Sequence, residues 1–130
     1  MKLNNKIVVK GTVLCSALLA TGICFSSPVD KELISKRCEA VYNKLYGLFE
    51  EHASAPCAVK VRYSSYVMLG ASMLVHSERY SEAMNNLDIA EGNLANIYLK
   101  SQECAYFSPK VKPSLDEVRV LMNELKYGTN

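Results

Sequence analysis

The chain has 130 residues, of which 15 are Lys or Arg and 13 are Asp or Glu, so its formal net charge is only +2. Three of the lysines lie within the first ten residues, and the rest of the chain, with 12 basic and 13 acidic residues, is close to neutral. This balance argues against a basic stripe that neutralises nucleic-acid phosphates and against a polybasic membrane-surface protein.

The N-terminal segment has the three-part layout of a secretory signal peptide. Lys2, Lys6 and Lys10 precede an apolar run over 11–25, which is shorter than the roughly 20 residues that span a bilayer. We expect residues 1–26 to be removed on export, which leaves 27–130 as one small domain in the periplasm or outside the cell. The alternative is an uncleaved N-terminal helix that tethers an accessory protein to the membrane.

The position of cleavage decides which cysteines remain. Cleavage after Ser26 removes Cys24, whereas cleavage after Gly22 keeps it, and cleavage after Ser27 is disfavoured because Pro28 would adjoin the cut bond. Lipidation of Cys24 is also disfavoured, since such a site normally has Gly or Ala directly before the cysteine and Leu three residues before it.

Apolar residues at helical spacing predict an all-α domain of about four amphipathic helices. The expected helices cover about 29–52, 56–76, 80–101 and 114–128, and no pair of strands is indicated. The second and third helices should be antiparallel neighbours, because the link between them spans only about three residues. A loop with two prolines should separate the third helix from the last one.

One stripe of each helix is expected to face the core. These stripes are Ile34, Cys38, Val41, Leu45, Leu48 and His52 on the first helix; Val59, Tyr63, Tyr66, Gly70 and Met73 on the second; Tyr80, Ala83, Met84, Leu87, Ala90, Leu94, Ile97 and Tyr98 on the third; and Leu115, Val118, Met122 and Leu125 on the last. Ser27 with Asp30 is expected to start the first helix, and Ser114 with Glu117 should form a capping box for the last.

The central hairpin resembles a tetratricopeptide repeat, whose helix pair places small residues where two helices approach closely. The residues that carry this resemblance are Tyr66, Leu69, Gly70, Met73, Tyr80, Ala83, Leu87 and Ala90. The turn is one residue longer than the family pattern, the proline that ends the family's second helix is replaced by Ala95, and the unit occurs once. The resemblance implies a groove that takes a peptide or helix, whereas a generic helical hairpin would not.

Cys57 and Cys104 lie at comparable distances before and after the hairpin turn, so they should be level at its open end. A disulfide between them is the expected use in an oxidising compartment. Cys38 lies on the core stripe and is interpreted as a small buried hydrophobe, with a bond to Cys24 or to a second copy as the alternative.

No catalytic, cofactor or metal site is predicted. The two histidines, His52 and His76, both lie near helix ends, and no acidic cluster accompanies them at metal-ligand spacing. A nucleophilic pair of Cys57 with His52 has no flanking family motif, and no phosphate-binding loop or hydrolase motif is present.

Tyr42 and Tyr46 lie four residues apart on the first helix, off its core stripe. They either pack on the last helix or form an exposed aromatic patch, which is a favoured binding anchor. The sequence therefore predicts an exported protein-binding module, such as a scaffold, a chaperone-like protein or an envelope-assembly factor. A periplasmic inhibitor of a toxic enzyme is the alternative, the partner is unidentified, and association of two copies stays open.

Overall fold

A computed structural model describes residues 28–128 and confirms the all-α class. Four helices are present in this range, and no strand occurs among these residues: α1 (Lys31–Glu51), α2 (Ala58–His76), α3 (Tyr80–Leu99) and α4 (Lys112–Gly128). The predicted signal segment and its cleavage sites lie outside the described residues.

The four helices form an up-and-down bundle around one core. α1 packs against α2 and α4, and α3 packs against the same two helices. The interface between α1 and α2 is the most extensive, and the one between α1 and α4, which closes the bundle, is the least. Of these four helices, only α2 and α3 therefore pack extensively against a neighbour on each side.

The first helix follows the sequence prediction closely. Asp30 is the N-cap, and its Oδ1 accepts a hydrogen bond of 3.1 Å from the backbone N–H of Leu33. The expected stripe is confirmed at its centre, where four residues are buried, while Leu48 is half-buried and His52 is exposed. The four buried residues are Ile34, Cys38, Val41 and Leu45.

The predicted core stripe of the second helix is wrong, and so is its start at Pro56, because α2 begins at Ala58. Four residues of that stripe point to solvent, with exposed fractions of 66% for Val59, 53% for Tyr63, 48% for Tyr66 and 64% for Met73. The opposite side of α2 is the buried one: Ala58, Val61, Ser64, Ser65, Val67, Met68, Ala71, Ser72 and Val75.

Buried serines explain why the spacing of apolar residues predicted the wrong core face for α2. Ser64 Oγ donates to the carbonyl of Lys60 at 2.9 Å, and Ser65 Oγ donates to the carbonyl of Arg62 at 2.6 Å. Because each hydroxyl is satisfied within its own helix, these small side chains can be buried at little cost. A count of apolar residues treats them as surface and assigns the core to the larger residues on the other side.

The third helix confirms its predicted stripe. Ala83, Leu87, Ala90, Leu94 and Ile97 are buried in α3. Tyr80 and Met84 are half-buried, Tyr98 is largely exposed, and the helix ends at Leu99, slightly earlier than expected.

The last helix starts earlier than the capping box predicts. α4 begins at Lys112, so Ser114 lies inside the first turn, where it is buried and its Oγ has no hydrogen-bond partner. Pro113 is accommodated there because the first turn needs no N–H donor within the helix. Leu115, Val118 and Leu125 are buried as predicted, Met122 is half-buried, and Leu121 joins them in the core.

The predicted disulfide is confirmed. Cys57 and Cys104 are bonded, with their Cα atoms 5.5 Å apart, and the bond closes the open end of the α2–α3 hairpin. Cys38 is fully buried and unbonded, in agreement with its interpretation as a small core residue.

Candidate functional site: an aromatic surface on α1 and α2

The outer face of α2 carries an ordered row of mainly apolar residues, which we call the α2 seam: Val59, Tyr63, Tyr66, Gly70 and Met73. Successive members are alternately four and three residues apart, which is the spacing of a helix-pairing face with a seven-residue repeat. At 1.5 Å per residue the row is about 21 Å long. No neighbouring helix of the described chain covers it, since α1, α3 and the core occupy the other sides of α2.

Aromatic rings from α1 extend this face sideways. Tyr42, Tyr46 and Tyr66 form a triangle with ring centroids 5.9–6.2 Å apart, and Phe49 lies 5.8 Å from Tyr46. We call these four residues the tyrosine cluster. Tyr42 and Tyr46 therefore pack beside α2, half-buried against Tyr66, rather than on α4. All three tyrosines remain at least partly open to solvent.

The cluster is neutral and has polar edges. A hydrogen bond between the hydroxyls of Tyr46 and Tyr66 is the main factor that raises the pKa of Tyr46, so the phenol stays protonated at physiological pH. The guanidinium of Arg62 lies 5.2 Å from the ring centroid of Phe49, a cation–π contact at the rim. Uncharged rings with hydroxyl donors at their edges suit an apolar partner that also offers hydrogen bonds.

The two ends of the α2 seam differ in charge. Lys60 and Arg62 flank the Val59 end, where Lys60 Nζ lies 3.5 Å from Asn96 Oδ1 on α3. Acidic residues flank the Met73 end. These are Glu32 and Glu39 on α1 and Glu82 on α3, all of them exposed; Glu82 is ion-paired with Arg79, and Glu32 lies 3.5 Å from His76.

The register of α1 on α2 fixes these positions. Ser35 Oγ lies 2.9 Å from Ser72 Oγ, and the ring of Tyr42 contacts that of Tyr66. Glu39 lies between Ser35 and Tyr42 along α1, so it is level with about residue 69 of α2. The surface is therefore apolar along its length, with Lys60 and Arg62 at the Val59 end, where Glu50 of α1 also lies, and with Glu39 and the Glu82–Arg79 ion pair at the other end.

The residues of the repeat-like pattern divide between surface and core. Tyr66 and Met73 are exposed, Leu69, Gly70 and Tyr80 are half-buried, and the remaining three are buried: Ala83, Leu87 and Ala90. Gly70 is approached by a polar side chain, since a Cβ at this position would lie 2.7 Å from Asn86 Nδ2. Asn86 Nδ2 donates to the carbonyl of Val67 at 3.1 Å. The resemblance to the repeat family stays a prediction.

Among residues 28–128, the histidines and cysteines form no reactive pair. His52 stacks on Tyr106 with ring centroids 4.0 Å apart, and His76 lies 3.5 Å from Glu32. Cys57 has no thiol to offer His52, because its sulfur is bonded to Cys104. Burial raises the pKa of the Cys38 thiol to about 12, so it carries no thiolate at neutral pH. Within 28–128, no three potential metal-binding side chains lie close enough together to hold an ion.

A cleft lies between α1 and α4. It encloses about 240 Å³ and is lined by Val41, Lys44, Ser114 and Glu117, among others. Its volume is below the range of typical small-molecule sites, about 300–1,000 Å³. Sequence reasoning did not locate this cleft, because nothing in the spacing of α4 indicated that Ser114 would be buried.

Of the four helices in the described range, none combines the length and apolar character needed to cross a membrane. No protein-family model, no curated protein and no solved structure matches this chain. The functional argument therefore depends on the residues and geometry described above.

Proposed function

We propose that this chain is an exported protein-binding module, and that the α2 seam with the tyrosine cluster binds a helix of a partner protein. The observation that carries the proposal is the exposure of Val59, Tyr63, Tyr66 and Met73 on one continuous face. Exposed apolar residues scattered singly are ordinary, whereas a contiguous apolar face on a small domain usually marks an interaction site. Tyrosine is also enriched among the residues that dominate binding energy.

The shape of the face favours a helical partner. A row with alternating spacings of four and three is straight along a helix, so a second helix can lie along it with side chains interdigitating. The tyrosine cluster on the α1 side provides a lateral wall for the apolar stripe of such a helix. Recognition of an amphipathic helix by an apolar surface is a recurrent mode of protein binding.

Export is supported by two features of the chain. The segment 1–26 has the layout of a signal peptide, and the Cys57–Cys104 disulfide is of the kind that persists in oxidising compartments. The inhibitor alternative lacks comparable support. The acidic loop that would favour it is missing from the described chain, since the α3–α4 connection carries Glu103 beside Lys100 and Lys110.

Site-specific photo-crosslinking tests the proposal. A benzophenone amino acid in place of Tyr63 should capture a protein in the compartment where the chain accumulates. The same replacement at Tyr127, an exposed tyrosine on α4, is the matched control and should capture none. Tyr66→Ser should weaken binding of the captured protein about 30-fold, as expected for loss of about 2 kcal/mol at a central aromatic residue.

Two results would contradict the proposal. One is the same crosslinking pattern from positions 63 and 127, which would mean that the α2 face is not selective. The other is unchanged affinity of the captured protein for Tyr66→Ser, with Tyr127→Ser measured alongside as the control.

A further inference from the structure

We infer that the helix bound on the α2 seam is α2 of a second copy of this chain, antiparallel to the first, with a two-fold axis beside Tyr66. This inference rests on the proposed function, because it names the partner of that same surface. Three independent properties of the surface point to self-association: its pattern of side-chain size, its distribution of charge and the position of the tyrosine cluster.

The sizes along the α2 seam are self-complementary. When two seams run antiparallel with Tyr66 opposite Tyr66, Val59 of each copy faces Met73 of the other. The same register places Tyr63 of each copy within one residue of the level of Gly70 of the other. A large ring thus meets the one position without a side chain, where the amide of Asn86 forms the floor. In such a pairing Tyr63 lies near the Gly70 position and Val59 faces the unbranched side chain of Met73. Only at the axis do two large side chains, both Tyr66, face each other.

The charges at the two ends become complementary in the same arrangement. An isologous antiparallel pairing places the α1 side of one copy along the α1 side of the other. Arg62 then lies level with Glu39 of the second copy, because Glu39 is level with about residue 69 of its own α2. On the opposite flank, Lys60 comes level with the Glu82–Arg79 ion pair of the second copy, since Asn86 and Asn96 fix the side of α3 that faces α2, so the complementarity of charge is carried by Arg62 and Glu39.

A parallel pairing is disfavoured by the same charges. It would bring Arg62 near Lys60 of the second copy at the Val59 ends, and it would bring Glu39 near Glu82, which keeps its partner Arg79, at the Met73 ends. Like charges opposed across an interface weaken association and select against that geometry. The charges of Arg62 and Glu39 therefore favour the antiparallel direction of the second helix.

The tyrosine cluster lies at the centre of the proposed dimer. Tyr42 and Tyr46 both contact Tyr66, which is beside the axis, so six tyrosine rings from the two copies would meet there. Residues that dominate binding energy are concentrated near the centre of an interface, with charged residues at its rim. The surface has this distribution, with Arg62, Lys60, Glu39 and Glu82 outside the rings.

The test uses the protein as it accumulates after synthesis, with its disulfide formed. Sedimentation equilibrium at concentrations up to about 0.5 mM detects association with a Kd as weak as about 1 mM. We expect a dimer. Tyr66→Cys should form an intermolecular disulfide rapidly because the two residues face each other at the axis, whereas Tyr127→Cys on α4 should not.

Charge reversal tests the antiparallel geometry. Arg62→Glu alone and Glu39→Arg alone should each weaken the dimer about tenfold, since symmetry turns two attractive rim pairs into two repulsive ones. The double variant should recover to within about threefold of the wild type, because each pair is restored with its charges exchanged.

The outcomes separate this inference from the proposed function. Any one of three results would overturn the inference. These are a monomer at all concentrations, a dimer without a Tyr66→Cys crosslink, and a double variant that associates no better than the weaker of the two single variants. If the protein is monomeric and the photo-crosslinker at Tyr63 still captures a different protein, the proposed function stands and only the second copy is excluded.

Discussion

At the scale of single residues, Cys38 is the most sensitive reporter of core integrity. Its side chain is fully buried, and burial raises the pKa of its thiol from 9.0 to about 12. The folded state therefore binds the thiol proton more tightly than the unfolded state does. The stability that this group contributes is complete below pH 9 and is lost as pH rises toward 12.

We expect the unfolding free energy of the wild type to fall faster above pH 9 than that of Cys38→Ala, by up to about 1.4 kcal/mol per pH unit. Urea denaturation between pH 7.5 and 11 measures both proteins. Alkylation at pH 8 should also proceed only through unfolding. Parallel stability curves, or rapid alkylation of the folded protein, would show that Cys38 is accessible to solvent.

Gly70 is a second residue whose role can be tested. Replacement of a helical Gly by Ala gains about 1 kcal/mol from helix propensity, but here the new Cβ would displace the Asn86 amide from Val67. The lost hydrogen bond is worth about 1 kcal/mol, so Gly70→Ala alone should be close to neutral. In an Asn86→Ala background the same substitution should stabilise by about 1 kcal/mol. Equal effects in the two backgrounds, measured by urea denaturation, would rule out the Asn86 contact as the reason for glycine.

At the scale of elements, the α2–α3 turn has a residue in an unfavourable conformation. Glu78 has φ of 62°, and the N–H groups of Glu78 and Arg79 donate to the carbonyls of Val75 and Leu74. This is the Schellman arrangement that ends many helices, in which the left-handed position is usually glycine. Glu78 also forms an ion pair with Lys31, whose Nζ donates a hydrogen bond of 2.6 Å to Glu78 Oε2. This hydrogen bond lowers the pKa of Glu78.

We expect Glu78→Gly to be more stable than Glu78→Ala by about 1 kcal/mol, because only glycine relieves the left-handed backbone. Both variants lose the exposed ion pair with Lys31, so the comparison isolates the backbone term. Thermal or urea unfolding of the two variants measures the difference. An alanine variant at least as stable as the glycine variant would contradict this reading of the turn.

The elements also show how far the sequence could be interpreted. The existence, order and approximate bounds of α1 to α4 follow from apolar spacing, and the pairing of Cys57 with Cys104 follows from their levels on the hairpin. The side of α2 that is buried could not be predicted, because Ser64 and Ser65 satisfy their hydroxyls on their own helix. The helical spacing of apolar residues identified the row from Val59 to Met73, but this row was assigned to the core.

Only part of the candidate site could be predicted from the sequence, because the exposed side of α2 was assigned to the core. The sequence placed Tyr42 and Tyr46 off the core stripe, which depends on α1 alone, and left open whether they pack on the last helix or form an exposed patch. Tyr66 was placed in the hairpin core, and only the packing of α1 on α2 shows that all three rings share a surface. A spacing of four and three marks a helix-pairing face but does not say whether the paired helix belongs to the same molecule.

At the scale of the whole molecule, the bundle is closed along its least extensive interface by Arg37. Its Nε donates to Glu117 Oε2 at 2.7 Å and its Nη1 donates to Glu124 Oε1 at 2.8 Å, so one α1 side chain holds two turns of α4. The hydrogen bond with Glu117 is the main factor that raises the pKa of Arg37. Removal of this guanidinium would leave two carboxylates facing α1 without a counter-charge.

We expect Arg37→Met to lower the unfolding free energy by about 1–2 kcal/mol and to accelerate amide hydrogen exchange in α4 more than in α2 or α3. Arg119→Met is the matched control, because the Arg119 side chain is more exposed than that of Arg37 and pairs with one carboxylate, Glu91, so its loss should cost less than about 0.5 kcal/mol. Equal losses for the two variants, or uniform acceleration of exchange in all helices, would mean that Arg37 does not close the bundle.

The disulfide has a mechanical consequence for the same fold. Tension applied between residues 28 and 128 passes from Cys57 to Cys104 through the sulfur bridge, so the segment 58–103 carries no load. The oxidised chain should therefore extend to only about 190 Å when pulled straight, against about 350 Å after reduction. Under force the molecule consists of two extensible arms joined by a ring that is never stretched.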